Sequence, residues 1–176
     1  MSIAKGDRLP EATFRIMEPD GIKTLITKDI FAGKKVVMFA VPGAFTPTCH
    51  LKHLPGYIEN ADYFKKEGID TIACVAVNDP FVMTAWADAS GGKGKVLFLS
   101  DGNAEFTKKI GMDFDGSEVG LGTRSKRYSI FVDDGVVKVL DVEDSPGVAD
   151  LSTAACIDQA DLVTRPRRSS FRPGRA

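Results

Sequence analysis

The sequence predicts an α/β domain with a central, mixed and mostly parallel sheet that is flanked by helices. The main observation is an alternation along the chain: apolar, β-branched segments typical of buried strands are followed by segments of helical composition. The second observation is size. A chain of 176 residues with 43% hydrophobic residues can enclose one sizeable core, and one domain is the usual number at this length.

The first part of the chain supplies the strands that we expect at the centre of the sheet. Their composition is that of buried strands in Lys35–Val41, Thr71–Val77 and Val96–Leu99. Residues 49–66 have helix-forming composition, and Pro55 predicts a kink or break within them. A second helix is predicted over Pro80–Ala89, which begins with a proline.

The second part of the chain predicts a helix, a hairpin and a final helix. Residues Ala104–Ile110 should form a helix that ends at Gly111. Two apolar runs flank Asp133-Asp134-Gly135 and predict a C-terminal β-hairpin, which adds an antiparallel edge to the sheet. A final helix is expected over Ser152–Val163, with Ser152 as its N-cap.

Charge divides the chain into a predicted domain, 1–164, and a basic tail, 165–176. The tail holds five arginines and no acid, so removing it from the net charge of −1 leaves −6 on the domain. An acidic domain argues against a nucleic-acid-binding face. The tail is rich in arginine, proline and serine and predicts disorder; a dispensable appendage is favoured over an interaction arm.

The sequence contains no apolar run near the about 20 residues that a membrane-spanning helix needs. Its first residues, MSIAKGD, do not have the pattern of an export or organelle signal. We therefore expect no membrane partner and a cytoplasmic location. An organellar protein whose transit peptide has been removed would look the same, and it stays as the alternative.

The three cysteines are Cys49, Cys74 and Cys156. An odd number without a closely spaced pair argues against a structural disulfide framework and directs attention to individual thiols. Cys74 lies within a predicted buried strand, and Cys156 lies in the predicted final helix. For both we expect a packing role, because free cysteines are mostly small buried hydrophobes.

Cys49 has a different setting, in the loop between the first central strand and the helix that follows. Ligands of α/β sheets bind where strands end and helices begin. Unpaired N–H groups at a helix start favour an anion such as a thiolate, which is the nucleophilic form of cysteine. Attack of this thiolate on a peroxide would give a sulfenic acid.

Thr46 occupies the position where a C-x-x-C motif would carry a second cysteine. A disulfide reductase would need that cysteine, so Thr46 argues against this activity. A hydroxyl can instead donate a hydrogen bond to the sulfur or to a peroxide oxygen. Pro42 and Pro47 stiffen the loop.

Pro42-x-x-x-Thr46-x-x-Cys49 resembles the active-site signature of the peroxiredoxins. The segments VPGAFTPTC, HLPGYIE, AVNDPFVMTAW and GLGTRSKRYSIFVDDG resemble the type II, or peroxiredoxin-5-like, subfamily, over about Gly6 to Val163. The resemblance implies a thioredoxin-like fold and the reduction of hydrogen peroxide and alkyl hydroperoxides through a Cys49 sulfenic acid. It implies no metal, flavin or haem cofactor.

The resemblance also implies a catalytic set of Pro42, Thr46, Cys49 and Arg127. Arg127 begins an apolar strand, so its charge should lie at the edge of the sheet, where a guanidinium would stabilise a thiolate. Arg124 is a second candidate for the substrate pocket, either beside the thiolate or as a support of the loop.

His53 follows Cys49 by four residues and should share its helix face, as a residue of the substrate pocket. A Cys–His dyad for hydrolysis is the alternative chemistry. A metal site formed by Cys49, His50 and His53 is disfavoured, because His50 points away from that face and no fourth ligand is evident.

Some members of the subfamily carry a resolving cysteine that would fall near Leu151, about a turn and a half before Cys156. We therefore expect an external reductant: glutathione with glutaredoxin, or thioredoxin. The resemblance also implies a homodimer, and Phe45, Phe81 and Trp86 are expected in the core or the dimer interface. A redox sensor or chaperone module with the same fold stays as a functional alternative.

Overall fold

The structure, a computed structural model, describes residues 1–157. At its centre lies a seven-stranded mixed sheet. Its strands are, in spatial order, β2 (Gly21–Ile26), β1 (Thr13–Glu18), β5 (Leu97–Ser100), β4 (Thr71–Ala76), β3 (Lys35–Ala40), β8 (Tyr128–Asp133) and β9 (Val136–Val142). A second, two-stranded sheet consists of β6 (Asp113–Asp115) and β7 (Thr123–Ser125). The α-helices of the described residues are α1 (Thr27–Phe31), α2 (Leu54–Glu59), α3 (Ala61–Lys66), α4 (Pro80–Ser90) and α5 (Glu105–Lys109).

The mixed sheet is confirmed, but its parallel part is smaller than predicted. Only β3, β4 and β5 run parallel to one another, whereas β1, β2, β8 and β9 pair with their neighbours antiparallel. The strands β1 and β2 were not predicted, because their residues are largely half-exposed or exposed and lack the apolar run of a buried strand. A D-G pair at Asp20-Gly21 joins these two strands and is the signal that could have revealed them.

The central strand β3 separates two apolar cores, because successive side chains of a strand point to opposite faces. Val37 and Phe39 belong to the core that contains Cys49 and is covered by α2, α3 and α4. Val36 and Met38 belong to the opposite core, under α1 and α5. All side chains of β3 after Lys35 are buried, so the position of its carboxyl end is fixed from both faces.

The predicted C-terminal hairpin is present as β8 and β9. Asp134 and Gly135 both have positive φ, 50° and 77°, as a two-residue turn that follows the twist of the strands requires. The pairing places the start of β8 next to the end of β3, with Tyr128 opposite Ala40. Arg127, which precedes β8, is thereby brought to the carboxyl edge of the parallel strands.

The final helix over Ser152–Val163 is wrong for its described part, since residues 151–157 form bends and turns. Cys156 is exposed in this segment and is not packed in a core. The Ser152 hydroxyl donates to Glu143 at 2.8 Å and lies 3.2 Å from His53 Nε2, so it does not cap a following helix. The rest of the predicted helix and the tail 165–176 lie outside the described residues. No helix among residues 1–157 has the length and apolar character needed to cross a bilayer.

Candidate active site

The loop that follows β3, residues 41–46, is closely packed. Gly43 is buried, and a Cβ on it would lie 3.0 Å from Arg124 Nη1 and 3.2 Å from Thr46 Cγ2, so a side chain there would displace both. The Ala44 N–H donates to Asn78 Oδ1 at 3.0 Å, which ties this loop to the one after β4. Phe45 takes a left-handed backbone conformation with φ of 63°. The loop is therefore held by neighbours on two sides.

Cys49 lies in the first turn of the helix that this loop enters. Residues 47 and 48 are helical, Cys49–His53 form a π-helix, and α2 continues from Leu54. The predicted break at Pro55 is therefore a change from π- to α-helical winding, and the helix ends only at Asn60. The Cys49 side chain is buried.

Thr46 contacts the Cys49 sulfur as its residue type predicted. Its Oγ1 lies 2.8 Å from Cys49 Sγ and 2.8 Å from the Gly43 carbonyl oxygen. The hydroxyl has one proton and can donate to only one of these at a time. When Cys49 is a thiol, its S–H donates to Thr46 Oγ1, and Oγ1 donates to the Gly43 carbonyl oxygen. With a thiolate, Oγ1 donates to the sulfur, so the hydroxyl can follow the protonation of Cys49.

Arg127 is fully buried beside the same sulfur, deeper than the sheet-edge position that its sequence suggested. Its Nη2 donates to Cys49 Sγ at 3.0 Å and to the Pro146 carbonyl oxygen at 2.9 Å. A guanidinium has donors only, so the sulfur is the acceptor in this contact. The Pro146 carbonyl fixes which way the Nη2 hydrogens point.

His53 lies behind Arg127 and has partners for both ring nitrogens. Its Nδ1 is 3.0 Å from Arg127 Nη1, and its Nε2 is 2.8 Å from the Ser152 carbonyl oxygen. Burial, together with the Arg127 charge, lowers the pKa of His53 to about 4, although the Ser152 hydrogen bond opposes this shift. His53 is therefore neutral at physiological pH. Since both nitrogens are engaged elsewhere, it is not placed as the base of a Cys–His dyad.

Arg124 and Pro42 form a contact of their own at the rim. Arg124 Nε donates to the Leu121 carbonyl at 2.8 Å, and Nη1 donates to the Pro42 carbonyl at 3.4 Å. Of the two roles that the sequence left open for Arg124, these contacts favour support of the loop. Pro42 is buried, and its carbonyl is the acceptor of this Arg124 hydrogen bond.

The other polar candidates have local packing contacts. Cys74 is buried as predicted, and burial raises the pKa of its thiol well above the usual value. His50 Nδ1 accepts a hydrogen bond from Trp86 Nε1 at 2.9 Å, which joins His50 to α4. Within residues 1–157 there is no group of three or more His, Cys, Asp or Glu side chains placed to hold a metal ion.

The segment after β9 contributes a part of the site that was not predicted from the sequence. Pro146 and Ser152 contribute backbone carbonyls, and because every residue has a carbonyl, the residue type does not reveal this role. Glu143, the buried acid that holds this segment, has one weak sequence signal: it is a charged residue directly after an apolar strand.

Comparisons with known proteins identify relatives of this chain. Residues 4–155 match the redoxin family. Peroxiredoxin-2E-2, chloroplastic, of Oryza sativa subsp. japonica is 54% identical over 148 residues, which cover 81% of this chain and 66% of that protein. The chain belongs to the peroxiredoxin family.

Solved peroxiredoxin structures share the fold over nearly their whole length. Reduced Prx3 from Vibrio vulnificus in complex with hydrogen peroxide has 48% identity and a TM-score of 0.85, and the match covers 91% of this chain and 99% of that one. Peroxiredoxin 5 from Alvinella pompejana has 34% identity and a TM-score of 0.79, with 91% and 97% covered.

These matches confirm a thioredoxin-like fold and a type II, peroxiredoxin-5-like member of the family. This peroxiredoxin spans about two thirds of the length of the chloroplastic curated relatives that it matches.

Proposed function

We propose that this peroxiredoxin is a thiol-dependent peroxidase that reduces hydrogen peroxide and alkyl hydroperoxides, with Cys49 as the nucleophile. The observation that carries the proposal is the convergence of two donors on one buried sulfur: Arg127 Nη2 at 3.0 Å and Thr46 Oγ1 at 2.8 Å. The Vibrio vulnificus relative, whose structure contains hydrogen peroxide, supports the choice of substrate class.

The proposed reaction transfers one oxygen atom to sulfur. The Cys49 thiolate attacks one peroxide oxygen, the O–O bond breaks, and Cys49 becomes a sulfenic acid. The second oxygen leaves with the electron pair of the O–O bond and takes up a proton, which gives water or an alcohol. Arg127 stabilises the negative charge as it moves from sulfur to the leaving oxygen, and the Thr46 hydroxyl holds the peroxide oxygens by donating and accepting.

The remaining predicted site residues have supporting roles in this proposal. Pro42 and Arg124 keep the loop in the shape that presents Thr46 to the sulfur. His53, predicted as a residue of the substrate pocket, is buried behind Arg127 and orients it through Nδ1.

A thiol reductant closes the cycle by reducing the sulfenic acid to a thiol. We propose glutathione with glutaredoxin, or thioredoxin, because Cys156 is hydrogen-bonded within its own segment, to Asp150 O at 3.1 Å and Thr153 Oγ1 at 3.2 Å. The compartment stays a prediction. Relatives named chloroplastic and mitochondrial support the organellar alternative over the cytoplasm.

A homodimer is proposed from the exposed apolar residues near the site. Phe45 and Phe81 are 48% and 62% exposed. They follow β3 and β4, whose parallel carboxyl ends share one edge of the sheet. Exposed apolar groups that lie together are typical of interaction sites.

Peroxide consumption by Cys49→Ser tests the proposal. A serine hydroxyl is not ionised near neutral pH, so we expect the variant to lose peroxide reduction, whereas Cys74→Ser should retain it. The assay follows hydrogen peroxide and an alkyl hydroperoxide in the presence of thiol. A Cys49→Ser protein that still consumed peroxide at the full rate would refute the proposed nucleophile. A wild-type protein that is oxidised by peroxide but does not turn over would favour the redox-sensor alternative.

A further inference from the structure

We propose that Glu143 is a positioning residue of this peroxidase, which sets the direction of the hydrogen bonds that aim Arg127 at Cys49. The inference rests on the proposed function only for the choice of the reaction that is measured. Glu143 does not contact the sulfur; it acts through Ser152 and His53.

The first step is the contact between Glu143 and the segment that follows β9. Oε1 of Glu143 accepts the backbone N–H groups of Asp150, Leu151 and Ser152, at 2.8, 2.7 and 2.7 Å, and the Ser152 hydroxyl at 2.8 Å. Burial alone would raise the pKa of Glu143, but these hydrogen bonds outweigh it and hold the pKa below its usual value. The side chain is therefore a carboxylate, which accepts hydrogen bonds only.

The second step is the consequence for His53. The Ser152 hydroxyl donates its one proton to Glu143. Ser152 Oγ, which lies 3.2 Å from His53 Nε2, can therefore only accept a hydrogen bond from that nitrogen. The Ser152 carbonyl, 2.8 Å from the same nitrogen, is also an acceptor. Nε2 must therefore carry the proton of the neutral ring.

The third step leads to Arg127. With the proton on Nε2, His53 Nδ1 presents a lone pair to Arg127 Nη1 at 3.0 Å. This bond and the Pro146 carbonyl hold the guanidinium so that a hydrogen of Nη2 points at Cys49 Sγ. An acceptor-only carboxylate at one end and a donor-only guanidinium at the other leave one direction for every bond between them. Without the Glu143 acceptor, the backbone N–H groups of Asp150, Leu151 and Ser152 lose their partner. The Ser152 carbonyl can then leave His53 Nε2, the ring is no longer held in one tautomer, and Arg127 loses this aim.

Two substitutions separate the hydrogen-bond role of Glu143 from its bulk. Glu143→Leu has a similar volume and no acceptor, and we expect kcat/KM for hydrogen peroxide to fall about 10- to 100-fold, the effect of a misplaced group at a reacting centre. Glu143→Gln retains an amide oxygen that can accept, so it should stay within about threefold of wild type. The control is Glu59→Leu, the same change at an exposed glutamate, which should leave the rate unaltered.

A second readout is independent of peroxide. The chain has two histidines, so ¹⁵N NMR of the imidazoles, assigned with His50→Gln, reports the tautomer of His53. We expect Nε2–H in wild type and Glu143→Gln, and a mixture of tautomers in Glu143→Leu. If the wild type consumes no peroxide, the proposed function is lost, while this measurement still tests the network.

A Glu143→Leu variant with the wild-type rate and the wild-type tautomer would overturn the inference. Equal losses in Glu143→Leu and Glu143→Gln would also overturn it, because an acceptor alone would then be insufficient. If Glu143→Leu fails to fold, Glu143→Asp provides the test, because its side chain is one methylene shorter and places the carboxylate farther from residues 150–152. A lowered rate with an altered His53 tautomer supports the inference. Wild-type values for both refute it.

Discussion

The Cys49 sulfur is contacted by a hydroxyl and by a guanidinium, and the two donors differ in what they can do. The Thr46 hydroxyl can reverse its direction, whereas Arg127 can only donate. Nη1 of Arg127 binds His53, and Nη2 binds both Pro146 and Cys49. A lysine, whose ammonium is a point charge, would lose some of these hydrogen bonds. The charge at the site and its orientation therefore come from one side chain.

Substitution of Arg127 tests this conclusion. A hydrogen bond to a charged group contributes about 1.5–3 kcal/mol and each 1.4 kcal/mol is tenfold, so Arg127→Ala should slow peroxide attack by about 10- to 100-fold. Arg127→Lys should restore only part of the rate. Alkylation of Cys49, followed over a range of pH, should differ from the wild type in both variants. Arg8→Ala, an exposed arginine that contacts the Asp134 turn, is the control. Identical alkylation profiles for Arg127→Ala and wild type would make Arg127 a structural residue.

Among the elements, the segment after β9 is the one that completes the site. Besides Pro146 and Ser152, its Gly147 carbonyl accepts from Thr48 Oγ1 at 3.1 Å, and Ala154 packs in the core that contains Cys49. Most of these contacts are made by its backbone. The segment thus depends on its conformation more than on its residue types, and the helix predicted there from Ser152 as an N-cap is wrong for residues 152–157.

This segment also governs whether Cys156 can reach Cys49. Cys156 is exposed, but it is joined to Asp150, whose N–H is held by Glu143. A disulfide needs Cα atoms within about 7 Å, and Cys49 is buried, so the segment would have to leave Glu143 first. We predict that protein treated with peroxide, without added thiol, accumulates sulfenic and then sulfinic acid at Cys49.

Mass spectrometry and non-reducing peptide mapping measure that outcome. Added glutathione should form a mixed disulfide on Cys49, glutaredoxin should restore turnover, and Cys156→Ser should cycle like the wild type. A Cys49–Cys156 bridge, together with loss of thioredoxin-supported turnover in Cys156→Ser, would instead identify Cys156 as the resolving residue.

The elements also show what a sequence can reveal about such a site. The strands β3 and β4 were predictable because burial on both faces requires an unbroken apolar run. Cys49 and Thr46 were predictable because their spacing and residue types carry the chemistry. The His53–Arg127 contact and the carbonyls of the last segment were not, since they depend on tertiary placement. The paired residues are 74 positions apart for His53 and Arg127, 99 for His53 and Ser152, and 19 for Arg127 and Pro146.

At the scale of the whole molecule, the exposed apolar side chains are unevenly distributed. Those near the carboxyl edge of the parallel strands, or in segments that contact the site, are Phe45, Leu51, Phe81, Val148 and Leu151. Trp86, expected with them, is buried and belongs to the core. A second copy of the chain that covered these residues would also shield the entrance to Cys49 from bulk water, so association and catalysis would share one surface.

Phe81→Asp tests the homodimer proposed for this surface. Burial of an unpaired carboxylate in an interface is costly, and each 1.4 kcal/mol raises Kd tenfold. We therefore expect the Kd of the dimer to rise about tenfold or more in this variant. Ile22→Asp is the matched control: Ile22 is 50% exposed, but it lies on β2, at the far edge of the sheet from β8 and β9. Sedimentation equilibrium over a range of protein concentrations gives Kd for each variant. If Phe81→Asp associates as tightly as Ile22→Asp, or if the wild type is monomeric throughout, the surface near Cys49 is not a dimer interface, and the exposed phenylalanines are then available to hydroperoxides or to the reductant.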